Sequence, residues 1–281
     1  MPELPEVEIV ARLIGRAVEG AVVESAIPVG ISTLKTFDPP VDALQGRRLL
    51  ALRRRGKRLI IDFEGELHVL AHLMSAGRLQ LFDKRGSLRD RTSRFLIRLE
   101  DGREIRLREF GTRQSSWVKV LSTQGLETEP SLSVLGPEAW PDPPPYLPLL
   151  AQPRPLNSLL RDQAVIAGIG RSWVDEILHQ AKLSPFKRGV DLTEAEAEEL
   201  REATIDRLGF AIDHYSKELR LPIPDKLPMP LLVHRREGEP CPRCSEPLRA
   251  VHFEDHDMCY CPRCQTGGKL LKDRRLSRLL K

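Results

Sequence analysis

The 281-residue chain contains no apolar run of membrane-spanning length and no charged-then-apolar leader, which argues for a soluble cytoplasmic protein with no membrane partner. It also lacks a large net charge. Its 44 Lys and Arg face 40 Asp and Glu, a formal charge of +4, which alone does not establish a nucleic-acid partner. There is no internal repeat, so the chain is not read as a repeat array. Its length instead suits two cored domains with a small stapled module.

What is present is unevenly distributed. From Arg47 to Arg58 there are seven basic residues (Arg47, Arg48, Arg53, Arg54, Arg55, Lys57, Arg58) and no acid, and Lys269 to Lys281 carries six basics against Asp273. Such clusters suit phosphate neutralisation, with a solvated basic face as the plain alternative. Short apolar runs at 49–52, 59–63, 67–70 and 79–82 read as strands. Phe95, Ile97 and Leu99, then Ile105 and Leu107 beyond the Asp101-Gly102 turn, read as a hairpin. An antiparallel sandwich or barrel follows.

Eight prolines between Pro137 and Pro155 mark a linker. Beyond it the period becomes helical, at 156–163, at 173–181, and from Thr193, where Thr193 and Glu196 match a capping box. The predicted organisation is therefore multidomain α and β. A β-sandwich with a leading helix occupies 1–136, the linker 137–155, a helical domain 156–234, and a cysteine-bearing module with a basic tail 235–281.

Of five cysteines, four sit as Cys241-Pro-Arg-Cys244 and Cys261-Pro-Arg-Cys264, with sixteen residues between the pairs. Two such pairs close a tetrahedral site with no open position, so one structural zinc ion is expected rather than a disulfide framework. So short a module needs the metal to fold. Cys259 fits neither pair and is expected to be a free, partly buried thiol. The turn Gly168-Ile169-Gly170 before a helix exposes backbone N–H groups of the kind that hold anions, although tight helix connections use the same residues.

The first octet, Met1-Pro-Glu-Leu-Pro-Glu-Val-Glu8, reads in two ways. Early proline and glutamate suit a helix start, with Val7, Val10, Ala11 and Ile14 as the buried stripe. Equally, removal of Met1 leaves Pro2 as a secondary amine, whose adduct with an aldehyde-like carbon is an iminium and hence an electron sink. Glu3 beside it is a candidate proton carrier.

Together these motifs resemble the formamidopyrimidine-DNA glycosylase and endonuclease VIII family, nearer the formamidopyrimidine branch. The resemblance rests on the octet, Arg55-Gly56-Lys57, His72-Leu73 with Gly77, Phe110-Gly111, Leu160-Arg161-Asp162 leading to Gly168-Ile169-Gly170, and the cysteine pairs. It implies a helix-two-turns-helix domain at 156–234 and a zinc-ribbon finger behind it. It also implies a bifunctional glycosylase and AP lyase acting, as a monomer associated with the nucleoid, on double-stranded DNA with a damaged base or abasic site. In that likeness Pro2 is the Schiff-base nucleophile, Glu3 the acid/base residue, Glu6 a support of the lesion pocket, and Lys57 a phosphate contact near the reacting sugar.

The family fills the vacated base stack with Met, Arg and Phe. Arg108 and Phe110 match, but Ser75 takes the wedge position and Met74 lies one residue earlier. Among phosphate contacts beside Gly168 and Gly170, Arg171 stands for the family's Asn, Asn157 for its Lys, and His256 for the finger Arg. The tail, with Arg274, Arg275 and Arg278, is a possible substitute. The segment 219–234 lacks the Gly-Gly-Thr loop that caps 8-oxoguanine in typical members, so formamidopyrimidines, oxidised pyrimidines and abasic sites are at least equal candidates. The changed contacts motivate an alternative, a non-catalytic DNA-binding protein on the same scaffold. His68 and His72 read as packing, Trp117, Trp140 and Trp173 as core or linker anchors, and Asp162 as a turn residue.

Overall fold

The computed structural model describes residues 2–30, 32–111, 114–253 and 256–272. It divides into two units, Met1–Val134 with Ile212–Pro228, and Leu135–Ala211 with Met229–Lys281. No helix among the described residues is long and apolar enough to cross a membrane.

The first unit opens with α1 (Leu4–Val18), which buries Leu4, Val7, Val10, Ala11, Ile14 and Val18 along one face. That is the spacing of a one-sided amphipathic helix, and each fully buried aliphatic side chain contributes about 1.5–3 kcal/mol. Eight strands follow: β1 (Val23–Pro28), β2 (Leu49–Arg55), β3 (Arg58–Phe63), β4 (Leu67–His72), β5 (Gly77–Phe82), β6 (Ser93–Leu99), β7 (Glu104–Glu109) and β8 (Trp117–Ser122). They form two four-stranded antiparallel sheets, ordered β1-β6-β7-β5 and β2-β3-β4-β8. This is the expected sandwich with a leading helix. The short helices α2 (Thr123–Glu127) and α3 (Pro130–Ser133) complete the contiguous part of the unit.

Two turns carry candidate site residues. Gly56 and Lys57 close the β2–β3 hairpin between the paired Arg55 and Arg58, with Gly56 at φ +57°. At the β4–β5 connection a Cβ on Gly77 would lie 2.3 Å from the Leu73 carbonyl oxygen, which accepts the Gly77 N–H at 2.8 Å. Only glycine fits there, and this tight return pushes Met74 into the left-handed region at φ +51°.

In the second unit the proline-rich stretch is packed rather than extended. Ala139, Tyr146 and Leu150 are buried, and α4 (Tyr146–Leu149) forms within it. Helices α5 (Leu156–Arg161), α6 (Arg171–Gln180) and α7 (Glu194–Glu218) follow. Thr193 and Glu196 make the predicted capping box at the start of α7, with Thr193 N–H donating to Glu196 at 2.9 Å and Glu196 N–H to Thr193 at 3.2 Å. From Ile212 onward α7 belongs to the first unit, as do residues up to Pro228. The cysteine module adds β9 (Arg249–His252), β10 (Asp257–Tyr260) and α8 (Pro262–Thr266). Two buried carboxylates of α6 hold it: Glu176 accepts the backbone N–H of Val233 and His234 at 2.8 and 2.9 Å, and Asp175 accepts from His234 Nδ1 at 2.7 Å and the Cys259 N–H at 3.1 Å.

Candidate active site and metal centre

Pro2 is buried at the entrance of α1, where Glu3 is the N-cap and is 1% exposed. Pro5 sits in the first turn, where its missing N–H costs nothing. Glu6, 3% exposed, accepts the Glu3 N–H through Oε2 at 2.9 Å and the Tyr215 hydroxyl through Oε1 at 2.8 Å. Burial and the nearby Glu6 charge push the Tyr215 hydroxyl well above its ordinary range, so it remains a donor. One carboxylate thus caps α1 and bonds the last turns of α7. Tyr215→Phe is expected to remove a charge-assisted bond inside the core and to lower unfolding free energy by about 1.5–3 kcal/mol. Urea denaturation, with an unchanged slope against denaturant, measures it.

Lys57 is buried although it lies in a two-residue turn. Its charge reaches His72, which burial and, after it, Arg58 and Lys57 push down to about 4, so the imidazole is neutral. The surrounding basic run is less open than its sequence indicates. Arg54 pairs with Glu8 at 2.8 Å, Arg53 with Asp62 at 2.6 Å, and Arg48 with Glu64 at 3.3 Å. His68 bonds Asp62 at 2.6 Å and Thr123 at 3.1 Å, which gives it a structural role.

Of the wedge candidates, Ser75 is exposed at the tip of the β4–β5 turn and Met74 is half-buried. Phe110, 41% exposed, lies at the end of β7, with the Arg108 guanidinium 4.7 Å from its ring centroid. The Phe110 N–H donates to the Ala76 carbonyl at 3.2 Å, which joins the two turns. Buried Glu109 anchors the chain beyond Phe110 by accepting the N–H groups of Ser115 at 2.9 Å and Ser116 at 3.1 Å.

In the second unit Gly168 and Gly170 are buried before α6. The Gly168 N–H donates to Gln163 Oε1 at 3.0 Å, so this amide is already paired. Gly170 is the N-cap of α6 and Arg171 its first residue. His256 Nε2 faces Arg161 Nη1 at 2.7 Å and its ring stacks on Phe253, while Arg161 also reaches Asn157 Oδ1 at 3.2 Å. The substituted positions Asn157 and His256 therefore converge on one guanidinium. Asp162 accepts the Ala164 N–H at 3.1 Å, the turn role expected of it. Arg274, Arg275 and Arg278 lie outside the described residues.

The Sγ atoms of Cys241, Cys244, Cys261 and Cys264 all lie within 4.8 Å of one another, an arrangement able to hold one metal ion. The closest separations are 3.4 Å for Cys244–Cys264 and 3.5 Å for Cys244–Cys261. His179 Nε2 lies 3.2 Å from Cys241 Sγ, placed to donate to a thiolate as an orienting outer contact. Cys259 is fully buried rather than partly buried, and burial, with the Asp175 charge, pushes its thiol up to about 11. It is an inert core thiol.

Comparison with known proteins is consistent along the chain. The model of the formamidopyrimidine-DNA glycosylase N-terminal domain matches residues 1–113, and that of the formamidopyrimidine-DNA glycosylase H2TH domain matches 148–221. The formamidopyrimidine-DNA glycosylase of Pediococcus pentosaceus is 31% identical over 278 residues, covering 94% of this chain and 99% of that one. The chain belongs to the formamidopyrimidine-DNA glycosylase family.

Membership in that family makes the protein a DNA glycosylase of base-excision repair. A formamidopyrimidine-DNA glycosylase-like protein of Mycobacterium tuberculosis is 44% identical over 126 residues, covering 45% of this chain and 80% of that one. Among solved structures, the wild-type Lactococcus lactis enzyme in complex with DNA containing an oxidised pyrimidine has a TM-score of 0.83 at 25% identity, covering 94% of this chain and 100% of that one. Against this family background, sequence reasoning missed Tyr215, Asp225, Glu109 and His179. Tyr215 falls on the apolar stripe of the helix that starts at Thr193, and that spacing gives no sign of the partner of its hydroxyl. The partners of the others are set by strand pairing or by chain return, which leave no local pattern.

Proposed function

We propose that this glycosylase is bifunctional, removing a damaged base through a Pro2 Schiff base and then cleaving the strand as an AP lyase on double-stranded DNA. The observation that carries the reading is the buried Pro2–Glu3 pair at the start of α1, held by the Glu6 capping box. With Met1 removed, the Pro2 amine stands at the entrance of α1 beside Glu3. The Glu3 and Glu6 carboxylates offset the positive charge that develops later.

The amine attacks C1′ of the deoxyribose and the bond from C1′ to the base nitrogen breaks, with the base leaving as the protonated species. The attacking nitrogen gives up its proton, and its electron pair then forms the iminium as the C1′–O4′ bond breaks and the ring oxygen takes up a proton. Loss of a proton from C2′ to a base expels the 3′ phosphate by β-elimination, and a second proton loss expels the 5′ phosphate by δ-elimination, leaving a one-nucleotide gap. Glu3 carries protons at the sugar, and Lys57 neutralises the phosphate beside it. Arg108 and Phe110, with Ser75 and Met74 at the neighbouring turn, fill the stack left by the extruded nucleotide. In the second unit Gly168, Gly170, Arg171 and His256 are the assigned contacts to the DNA backbone, with the Arg161 guanidinium beside His256 adding charge. The substrates are formamidopyrimidines, oxidised pyrimidines and abasic sites in preference to 8-oxoguanine opposite cytosine.

The four thiolates hold one structural zinc ion. Bonds of about 2.3 Å place tetrahedral sulfurs ~3.8 Å apart, in keeping with the 3.4 and 3.5 Å separations. The ion stabilises the finger and takes no part in the chemistry at the sugar.

Borohydride reduction in the presence of abasic-site DNA tests the reading. A covalent protein–DNA adduct is expected, and its absence under every condition would establish the non-catalytic alternative suggested by Asn157, Arg171 and His256. A panel of single-lesion duplexes tests the substrate range, and fastest cleavage of 8-oxoguanine opposite cytosine would reject that preference.

A further inference from the structure

In the first unit, the chain beyond α7 returns onto the edge of the β5–β7 sheet and is bound there by side chains on both strands. Gln80 on β5 is buried and donates through Nε2 to the Ile223 carbonyl at 2.7 Å and to Asp225 Oδ1 at 2.9 Å. Arg78 donates through Nε to the Asp225 carbonyl at 3.0 Å. The same Asp225 Oδ1 accepts from Arg108 Nη1 at 3.0 Å, and Gln80 Oε1 accepts from that Nη1 at 3.2 Å. Asp225, Gln80 and Arg108 thus form a closed ring of hydrogen bonds. Thr92 Oγ1 holds Arg108 Nε at 2.9 Å, with Asp90 at 3.5 Å.

The electrostatics require such a carboxylate. Arg78 and Arg108 stand directly opposite in the β5–β7 register, and like charges in that relation repel. Asp225 answers both, by its carbonyl and by its carboxylate. The hydrogen bonds of Arg108 given above use Nε and Nη1, on opposite sides of the guanidinium, and its Cζ lies 4.7 Å from the Phe110 ring centroid. A guanidinium fixed in this way keeps the Nη2 donors in one orientation, which a flexible arginine does not do.

The geometry points to Asp225 as a positioning residue that fixes Arg108 for discrimination among bases opposite the lesion. This rests on the reading above that Arg108 and Phe110 fill the vacated stack, because the group that replaces the lost nucleotide faces the base left without a partner. Direct donor and acceptor matching then decides which opposite base is favoured. Asp225 lies in the short segment that stands where typical members carry a capping loop. That segment therefore acts from a docked position, through Arg108.

The test uses duplexes carrying an abasic site opposite A, C, G or T, with single-stranded abasic DNA as the reference by which each rate is divided. The full-length protein, Asp225→Asn and Asp225→Glu are compared by kcat/KM. Asp225→Asn is expected to narrow the spread among the four opposite bases by about threefold, the size that a half-exposed ion pair permits. Asp225→Glu is expected to recover part of it. A spread and ranking unchanged in Asp225→Asn, or a full-length protein that shows no spread, overturns the inference. No borohydride adduct between the full-length protein and any of the four abasic duplexes overturns instead the reading beneath it.

Discussion

A Pro2→Gly protein is expected to give far less borohydride-trapped adduct on abasic-site DNA, with its circular dichroism unchanged. Glycine restores a primary amine, whose adduct can shed its charge by losing an N–H, and it releases the backbone constraint at the entrance of α1. The first change weakens the electron sink, and the second, with loss of the buried pyrrolidine ring, loosens the placement of the amine. Glu3→Gln separates the steps. Amide replacement removes a proton carrier at the sugar and is expected to slow excision of an intact damaged base by ~100-fold or more. Adduct formation at a ready-made abasic site requires no base expulsion and is expected to fall less. The measurements are single-turnover excision and trapping on matched oligonucleotides. Equal trapping by the parent protein and Pro2→Gly would remove Pro2 from the mechanism.

Removal of zinc is expected to have the second large effect. The cysteine module consists of two four-residue strands and a five-residue helix, and its small cluster of Val233, Leu248 and Cys259 includes Cys241 and Cys261, two of the four cysteines able to hold a metal ion. A core made partly of ligands does not persist without the ion. For zinc-finger peptides, metal binding contributes about 10–16 kcal/mol of folding free energy. Treatment with a strong chelator, or Cys244→Ser, is expected to release one zinc per chain and to abolish hydrogen-exchange protection at 249–252 and 257–260. Duplex binding is expected to weaken along with it. Retained protection in the metal-free protein would show that the carboxylates of Asp175 and Glu176 suffice to hold the module.

Much of this architecture was legible from local pattern. Alternation around Asp101-Gly102 gave the β6–β7 hairpin, in which Ile97 does pair with Ile105, and the Thr193–Glu196 spacing gave the start of α7. The cysteine pairs gave the four-thiol cluster for the same reason: their chemistry is written in short spacings. Strand β1 was hidden because most of its side chains are only half-buried, so no sharp alternation marks it. The stretch 137–155 misled in a different way. Proline prevents a regular ladder but does not prevent packing, and Ala139, Tyr146 and Leu150 enter the core there. The pairing of the basic run was not legible because its counter-charges, Glu8, Asp62 and Glu64, arrive from α1, from β3 and from the turn after it.

The candidate site was legible residue by residue but not as a network. Pro2 and Glu3 are candidates by type and place and Lys57 through the resemblance, whereas the Glu6–Tyr215 bond spans 209 positions and the Arg108–Asp225 bond spans 117. Such contacts are decided by how the chain returns, which periodicity does not record.

The Glu6–Tyr215 bond also bears on how the protein can diversify. Since a single carboxylate serves two helices, a change at Glu6 alone passes through a form with an orphaned buried donor, and a change at Tyr215 alone passes through one with an underserved buried acid. Drift at either position is therefore slow and has to be paired. Change is more readily tolerated at the exposed turn tips, Ser75 and Phe110, where a substitution removes no side-chain hydrogen bond from a buried group.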